Sequence, residues 1–150
     1  SRKGQADRIF ASADADAQSL PFRDSTFYGL TICYGIRNVE NRAKAYSEFH
    51  RVLQPGGRLT ILEFSSPVIP GLNALYQWYC LRILPLIGGW LSGDRSAYEY
   101  LPESIRHFPS QAQLAAELEL AGFQEVRWTN LTGGIVALHT GRKGNGWHRS

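Results

Sequence analysis

Residues 27–64 hold the pattern that most restricts what this chain can become. Phe27 to Tyr34 (FYGLTICY) is a nearly continuous apolar run that predicts a strand buried on both faces, and Asp24-Ser25 marks a turn just before it. From about Asn41 the period changes. Ala45, Phe49 and Val52, together with Tyr46 and Leu53, recur at helical spacing, and Pro55-Gly56-Gly57 is expected to end the helix and turn the chain. Arg58 to Phe64 (RLTILEF) then predicts another strand. Strand, helix, turn and strand in this order make a crossover unit, so the sheet is expected to be at least partly parallel and the fold class α/β.

Other elements are arranged around this unit. Ile9 to Ala13 is a short run of small apolar residues that reads as a strand ending in Asp14-Ala15-Asp16. Leu72 to Leu91 has 20 residues with one charge, Arg82, which is long enough to span a bilayer. Asn73, Gln77, Pro85 and Gly88-Gly89 interrupt it too often for that, and it is read as a helix broken near Pro85 that packs on the sheet. Ser110-x-x-Gln113 is a capping box that opens a helix with Leu114, Leu118 and Ala121 on one face, closed by Gly122. Glu125 to Leu131 and Gly134 to Thr140 predict two strands, and the Thr132-Gly133 spacer favours an antiparallel hairpin. Residues 141–150 lack a periodic apolar pattern, which sets an expected domain at 1–141 and a solvated polar tail at 142–150.

Composition removes several classes of function. With 43% hydrophobic and 19% charged residues the chain is an ordered domain, neither a repeat array nor a disordered segment. The net charge of +3 comes from Arg142, Lys143 and Arg149 in the acid-free tail, and the other 13 bases balance all 13 acids. A nucleic-acid partner is therefore not expected. Cys33 and Cys80 stand apart without CxxC spacing, which argues against a disulfide framework and a metal site and makes a reducing cytoplasm the expected location. The chain opens at Ser1 and contains no Met, so its start is expected to be the boundary of a piece of a longer protein.

Two constellations sit where parallel sheets bind ligands, beyond the carboxyl ends of strands. Asp16 follows the first expected strand, in Asp16-Ala17-x-x-Leu20-Pro21-Phe22. Its carboxylate can accept from an adenine amino group, or it can simply cap the next turn. Cys33-Tyr34-Gly35-Ile36-Arg37-Asn38 carries a buried strand straight into a Gly turn, followed by a guanidinium fork and an amide. Those two polar groups either meet a ligand or serve the fold, as an ion pair and a helix cap.

Arg51-Val52-Leu53-Gln54-Pro55-Gly56-Gly57-Arg58-Leu59, running on to Leu62-Glu63-Phe64-Ser65, is mechanically a helix stop and a turn into a strand. As a full string it closely resembles a signature of the quinone-biosynthesis C-methyltransferases, the ubiquinone/menaquinone family. Further matches are Leu20-Pro21-Phe22, Gly35-Ile36-Arg37-Asn38, Tyr98-x-Tyr100-Leu101-x-Glu103-Ser104-Ile105, Ala121-Gly122-Phe123, Asn130-Leu131-Thr132 and Ala137-Leu138-His139. The resemblance covers about residues 9–141.

What the resemblance implies is a Rossmann-like methyltransferase sheet with its N-terminal part missing and an antiparallel hairpin at its end. It further implies S-adenosylmethionine as cofactor, with Asp16 and Ala17 at the adenine and Cys33 at a cofactor-contacting position. Three departures accompany it. Tyr28 stands where Phe-Asp is usual, Gln54 replaces a basic residue, and there is no GxGxG turn upstream of Asp16 nor an acid for the ribose. At least one βαβ unit, roughly 30 residues or more, is expected to be missing, and the chain alone is expected to have little or no methyl transfer activity.

The implied reaction is C-methylation of a prenylated quinol. The ring carbon becomes nucleophilic as a ring hydroxyl releases electron density, so the site needs a proton acceptor near that hydroxyl. Arg37 stays protonated and suits phenolate stabilisation, while His107 is the better base by intrinsic pKa or else a surface His before Pro109. Asn38, Tyr76, Tyr79 and Tyr98 are assigned to the substrate. Tyr76 and Tyr79, with Trp78 and Trp90, would form an apolar wall for the ring and tail, although core packing explains the same residues. The greasy substrate suggests contact with a membrane surface, and a homodimer or a quinone-synthesis complex are the expected associations. Two further readings stay open: a non-catalytic lipid-binding or scaffold protein, and a methyltransferase for a nucleic acid or a sterol.

Overall fold

The computed structural model describes residues 14–65, 104–105 and 107–145. The expected strand at Ile9 to Ala13, the apolar stretch from Leu72 to Leu91, and the three tyrosines Tyr76, Tyr79 and Tyr98 lie outside those residues. In chain order the elements are β1 (Phe27–Cys33), a 3-10 turn (Ile36–Asn38), α1 (Arg42–Val52), β2 (Leu53–Phe64), α2 (Gln111–Leu120), β3 (Phe123–Leu131), a second 3-10 turn (Thr132–Gly134) and β4 (Val136–Lys143). The sheet runs β1-β2-β4-β3, with β1 and β2 parallel and the other two pairings antiparallel. The α/β crossover and the terminal hairpin both form as the sequence predicts.

One face of this sheet is covered by the two helices. The predicted period of α1 buries Ala45, Tyr46, Phe49 and Val52, and α2 buries Leu114, Ala115 and Leu118. Most of these join Leu59 and Ile61 of β2 and Phe123 of β3 in one core cluster. Asn41 starts α1 by accepting from the Lys44 N–H at 3.0 Å. The capping box of Ser110 and Gln113 starts α2, and Gly122, at φ 95°, turns the chain after it. Among the described residues no helix is long and apolar enough to cross a membrane.

Three local expectations are corrected. Pro55 does not end α1: the helix stops at Val52, and Leu53 is already extended. The last carbonyls of α1 are met from elsewhere, since the Ser25 N–H donates to Arg51 O (2.9 Å), the Thr26 N–H to Val52 O (2.7 Å) and Lys143 Nζ to Arg51 O (3.4 Å) and on to Leu53 O (2.8 Å). Pro55-Gly56-Gly57 instead forms a bulge inside β2, where the pairing jumps from Phe27 with Leu53 to Gly29 with Arg58. Gly56 has φ 76°, and a Cβ on Gly57 would sit 2.8 Å from the Gln54 carbonyl, so both positions require glycine. The Gln54 amide donates to the Thr26 carbonyl at 3.2 Å.

Secondly, β1 is not buried on both faces. Leu30 and Ile32 pack against the core, whereas Thr31 and Cys33 are exposed and Tyr28 is 82% exposed. Among the described residues β1 is the edge of the sheet, with Leu30 and Ile32 on its core side. Finally, β4 runs on to Lys143, with Arg142 paired to Arg58 and Lys143 to Phe123, so the first two residues of the expected polar tail belong to the sheet.

Candidate active site

β1 and β2 run parallel, so their carboxyl ends meet at one rim. The Tyr34 N–H still donates to Leu62 O at 2.8 Å, but Tyr34 itself turns into the left-handed region at φ 53° and ends the strand. Ile36 is then buried, and the 3-10 turn returns Arg37 toward the end of β2. There it finds Glu63. Leu59, Ile61 and Glu63 alternate along β2 onto the helix-covered face, which puts a carboxylate at the end of a row of core residues.

That carboxylate is 1% exposed and accepts three hydrogen bonds. Arg37 Nη1 donates to Oε1 at 2.6 Å, the Arg37 N–H to Oε2 at 3.3 Å, and the Phe64 N–H to Oε1 at 2.9 Å. Arg37 Nη1 also donates to the Tyr34 carbonyl at 2.9 Å. The guanidinium carbon lies 5.4 Å from the centre of the Phe64 ring, against which the Tyr34 ring packs at 4.7 Å. A carboxylate this deeply buried requires a counter-charge, and Arg37 supplies it. Among the described residues Arg37 Nε is buried without a partner.

The segment before β1 is tied to the same rim. Asp16 Oδ1 accepts from the Gln18 N–H at 2.9 Å and from Gln18 Nε2 at 3.4 Å, and the Ser19 N–H donates to Asp16 O at 2.9 Å. Gln18 Oε1 in turn accepts from the Asn41 N–H at 3.2 Å, which hangs the Asp16 turn on the start of α1, just after Arg37 and Asn38. The turn-forming role of Asp16 is thus real, and among the described residues its second carboxylate oxygen is left uncommitted on an exposed residue. Ala17 packs against the core, while Cys33 and Asn38 are exposed.

Arg51 explains why two separated strings occur together. Its Nη1 donates to Phe22 O (2.8 Å) and Asp24 Oδ1 (2.7 Å), its Nη2 to Leu20 O (3.1 Å) and Glu48 Oε2 (2.8 Å), and its Nε to Glu48 Oε1 (2.7 Å). The Leu20 N–H closes the cluster on Glu48 Oε2 at 2.8 Å. Leu20-Pro21-Phe22 and the Arg51 string are therefore one structural unit. The Arg51 hydrogen bonds pull the Glu48 carboxyl down to about 2.

His107 is placed elsewhere. It lines a groove with Arg42, Phe108, Pro109, Gln113 and Glu117, a lining that contains neither Arg37 nor Glu63. A second histidine, His139 of β4, is buried and donates from Nε2 to the Gln111 carbonyl at 3.0 Å, seating α2 on the sheet. Burial pushes its pKa down, opposed by that hydrogen bond. The structure thus gathers Asp16, Cys33, Arg37 and Asn38 around one rim and leaves His107 outside it. Glu63 lies within the Leu62-Glu63-Phe64-Ser65 string, where nothing local in the sequence gives it a role. Its signal is parity: an acid two residues beyond Ile61 falls on the core face and calls for a base.

The ubiE/COQ5 methyltransferase family model matches residues 2–143. A ubiquinone/menaquinone biosynthesis C-methyltransferase from Legionella pneumophila is 48% identical over 128 residues, which is 85% of this chain and 51% of that protein. One from Brucella canis is 48% identical over 142 residues, 95% of this chain and 52% of that protein. The chain spans about half the length of these relatives. Among solved structures, a SAM-dependent methyltransferase from Thermotoga maritima superposes with a TM-score of 0.58 at 18% identity, covering 86% of this chain and 62% of that one. The cyclase SpnF superposes with a TM-score of 0.61 at 18% identity, covering 89% and 56%. Those likenesses establish the Rossmann-like methyltransferase fold, and the cyclase among them shows that the fold by itself does not fix the reaction.

Proposed function

The chain belongs to the ubiE/COQ5 methyltransferase family, and from that premise we propose that the protein containing it methylates a ring carbon of a prenylated quinol in ubiquinone or menaquinone biosynthesis. The family match across residues 2–143 carries this reading. S-adenosylmethionine, when bound, supplies an electrophilic methyl group carried on a sulfonium. The rim suits such a cofactor, because the uncommitted oxygen of Asp16 is an acceptor for an amino group and Cys33 is exposed at the end of β1. Asp16, Ala17 and Cys33 would hold it.

Arg37 acts on the other reactant. As a ring hydroxyl gives up its proton to solvent water, negative charge grows on that oxygen, and the guanidinium donors stabilise it. The Glu63 carboxylate offsets part of the positive field, so Arg37 contributes aimed N–H groups more than net charge. Asn38 offers an amide donor and acceptor beside it. A prenylated substrate would bring the protein to the cytoplasmic surface of a membrane, and association as a homodimer or in a quinone-synthesis complex would suit the same substrate.

Arg37→Lys in the full-length protein tests this. Lysine keeps the charge and loses the fork, so kcat should fall roughly tenfold or more while affinity for S-adenosylhomocysteine stays nearly intact. Unchanged turnover of the lysine variant would discard the role given to Arg37.

A further inference from the structure

A guanidinium and a carboxylate usually meet fork to fork, with two parallel N–H···O bonds. Arg37 and Glu63 do not. One nitrogen of Arg37, Nη1, serves both Glu63 Oε1 and the Tyr34 carbonyl. Glu63 gives two more of its acceptor positions to the backbone N–H groups of Arg37 and Phe64. The consequence is an unused edge. Neither Nε nor Nη2 of Arg37 has an acceptor among the described residues, and Nε is withdrawn from water. A buried N–H left without a partner is costly, and folded proteins keep few of them without a use.

We propose that Glu63 is a positioning residue: by engaging Nη1 it holds the Nε–Nη2 edge of Arg37 uncommitted, as a preset two-donor clamp for a substrate oxygen, phenolic or phenolate, that reaches into this dry position. The proposal rests on the quinol reading above and assigns the part of the site that would recognise the ring oxygen. The side chain of Arg37 is 12% exposed, which suits a donor edge that meets a ligand at the surface of the core. The Phe64 ring beneath the guanidinium carbon limits rotation about the last bonds of Arg37, so the direction of the edge is fixed before a ligand arrives. The same geometry explains why lysine is a poor replacement. Its single ammonium would be drawn to Glu63 and the Tyr34 carbonyl, leaving nothing to present.

The test uses the full-length protein with Glu63→Gln, Glu63→Asp and Arg37→Lys, alone and with Glu63→Gln combined with Arg37→Lys. Turnover of a short-tailed quinol is followed across pH, and affinity for S-adenosylhomocysteine is measured by calorimetry. Glu63→Gln removes the charge that orients Arg37, so kcat should fall roughly tenfold with cofactor affinity within about twofold. A clamp that stabilises the phenolate also lowers the pH at which it forms, so the acid limb of the kcat profile should move up by about one pH unit for a tenfold loss. The combined variant should be no slower than the slower single variant, because both changes remove one device. Should Glu63→Gln fail to fold, Glu63→Asp keeps the buried charge but withdraws it by one methylene, and it should show the same pattern at smaller size.

A folded Glu63→Gln or Glu63→Asp enzyme with unchanged kcat and an unmoved pH limb overturns the proposal, as do losses that multiply in the combined variant. If Arg37→Lys slows turnover and Glu63→Gln does not, the clamp alone is wrong. If neither slows it, the role proposed for Arg37 falls as well.

Discussion

Arg37 and Arg42 lie five residues apart on the chain and each meets a glutamate, yet the two pairs are built in opposite ways. Arg42 Nε and Nη2 reach the two oxygens of Glu117 at 3.1 and 3.0 Å, a fork-to-fork contact that joins α1 to α2. Both partners are about one-third exposed, at 29% and 32%, and the Tyr46 hydroxyl adds a bond to Glu117 Oε2 at 3.3 Å. Arg37 meets a carboxylate that water does not reach, spends a single side-chain nitrogen on it, and keeps Nε buried and unmatched. The difference teaches that the pair with the better geometry is the more exposed one and fastens two helices, whereas the buried pair at the strand mouth is only partly matched, which is what the role proposed for Arg37 requires.

The largest effect should come from breaking the dry pair. Arg37→Ala strands the Glu63 carboxylate in the core, and removing one member of a buried pair costs roughly 3–5 kcal/mol. Urea denaturation of the full-length protein should show this loss, and Arg37→Met combined with Glu63→Leu should recover most of it, since an apolar pair of similar volume needs no counter-charge. A loss below about 1 kcal/mol for Arg37→Ala would place this pair in the same class as an exposed one and remove the contrast.

Much of this architecture is legible locally. The apolar period of α1 and the caps at Asn41 and Ser110 are written within one or two turns, so both helices appear where the sequence puts them. The errors come from partners far along the chain. Pro55 is a strong breaker, but α1 has already ended at Val52, because Ser25, Thr26 and Lys143 meet its last carbonyls. The strand Phe27–Cys33 reads as doubly buried from its composition, although coverage by a second layer is a property of the whole fold. Arg37 stands out in the sequence because a strand runs straight into Gly-Ile-Arg-Asn, at the end of a parallel sheet where ligands commonly bind. Its partner is 26 residues away, so Glu63 acquires meaning once the parallel register is known.

A third arginine pair gives an intermediate effect that depends on pH. Hydrogen bonds from Arg51 lower the Glu48 carboxyl from 4.5 to about 2. Between those values the unfolded chain binds more protons than the folded one, so the contribution of this cluster is complete above about pH 4.5 and is lost as pH falls toward 2. Arg51 is 31% exposed, and solvent screening keeps the effect below that of stranding Glu63. Melting temperatures measured from pH 5 down to pH 2 should fall more steeply for the parent protein than for Glu48→Gln. Parallel curves would mean that the Glu48 cluster adds nothing to stability.

The smallest effect should belong to Arg42, and it is the strictest test of the comparison because the contact has the better geometry. The Glu117 hydrogen bonds raise the pKa of the Arg42 guanidinium, partly opposed by desolvation, so the pair is formed. Exposure still limits its value: each group regains water when the other is removed, and Glu117 keeps the Tyr46 hydroxyl. A double-mutant cycle of Arg42→Ala with Glu117→Ala should give a coupling of about 0.2–1 kcal/mol. Arg42→Ala should cost somewhat more than this coupling, because the guanidinium carbon also lies 5.6 Å from the centre of the Phe108 ring and the alkyl stem is lost with it. Turnover should be unchanged, since Arg42 and Glu117 line the groove away from the strand mouth. A coupling above about 2 kcal/mol would show that fork geometry outweighs exposure here. The half-met pair at Arg37 could then no longer be set apart by its burial.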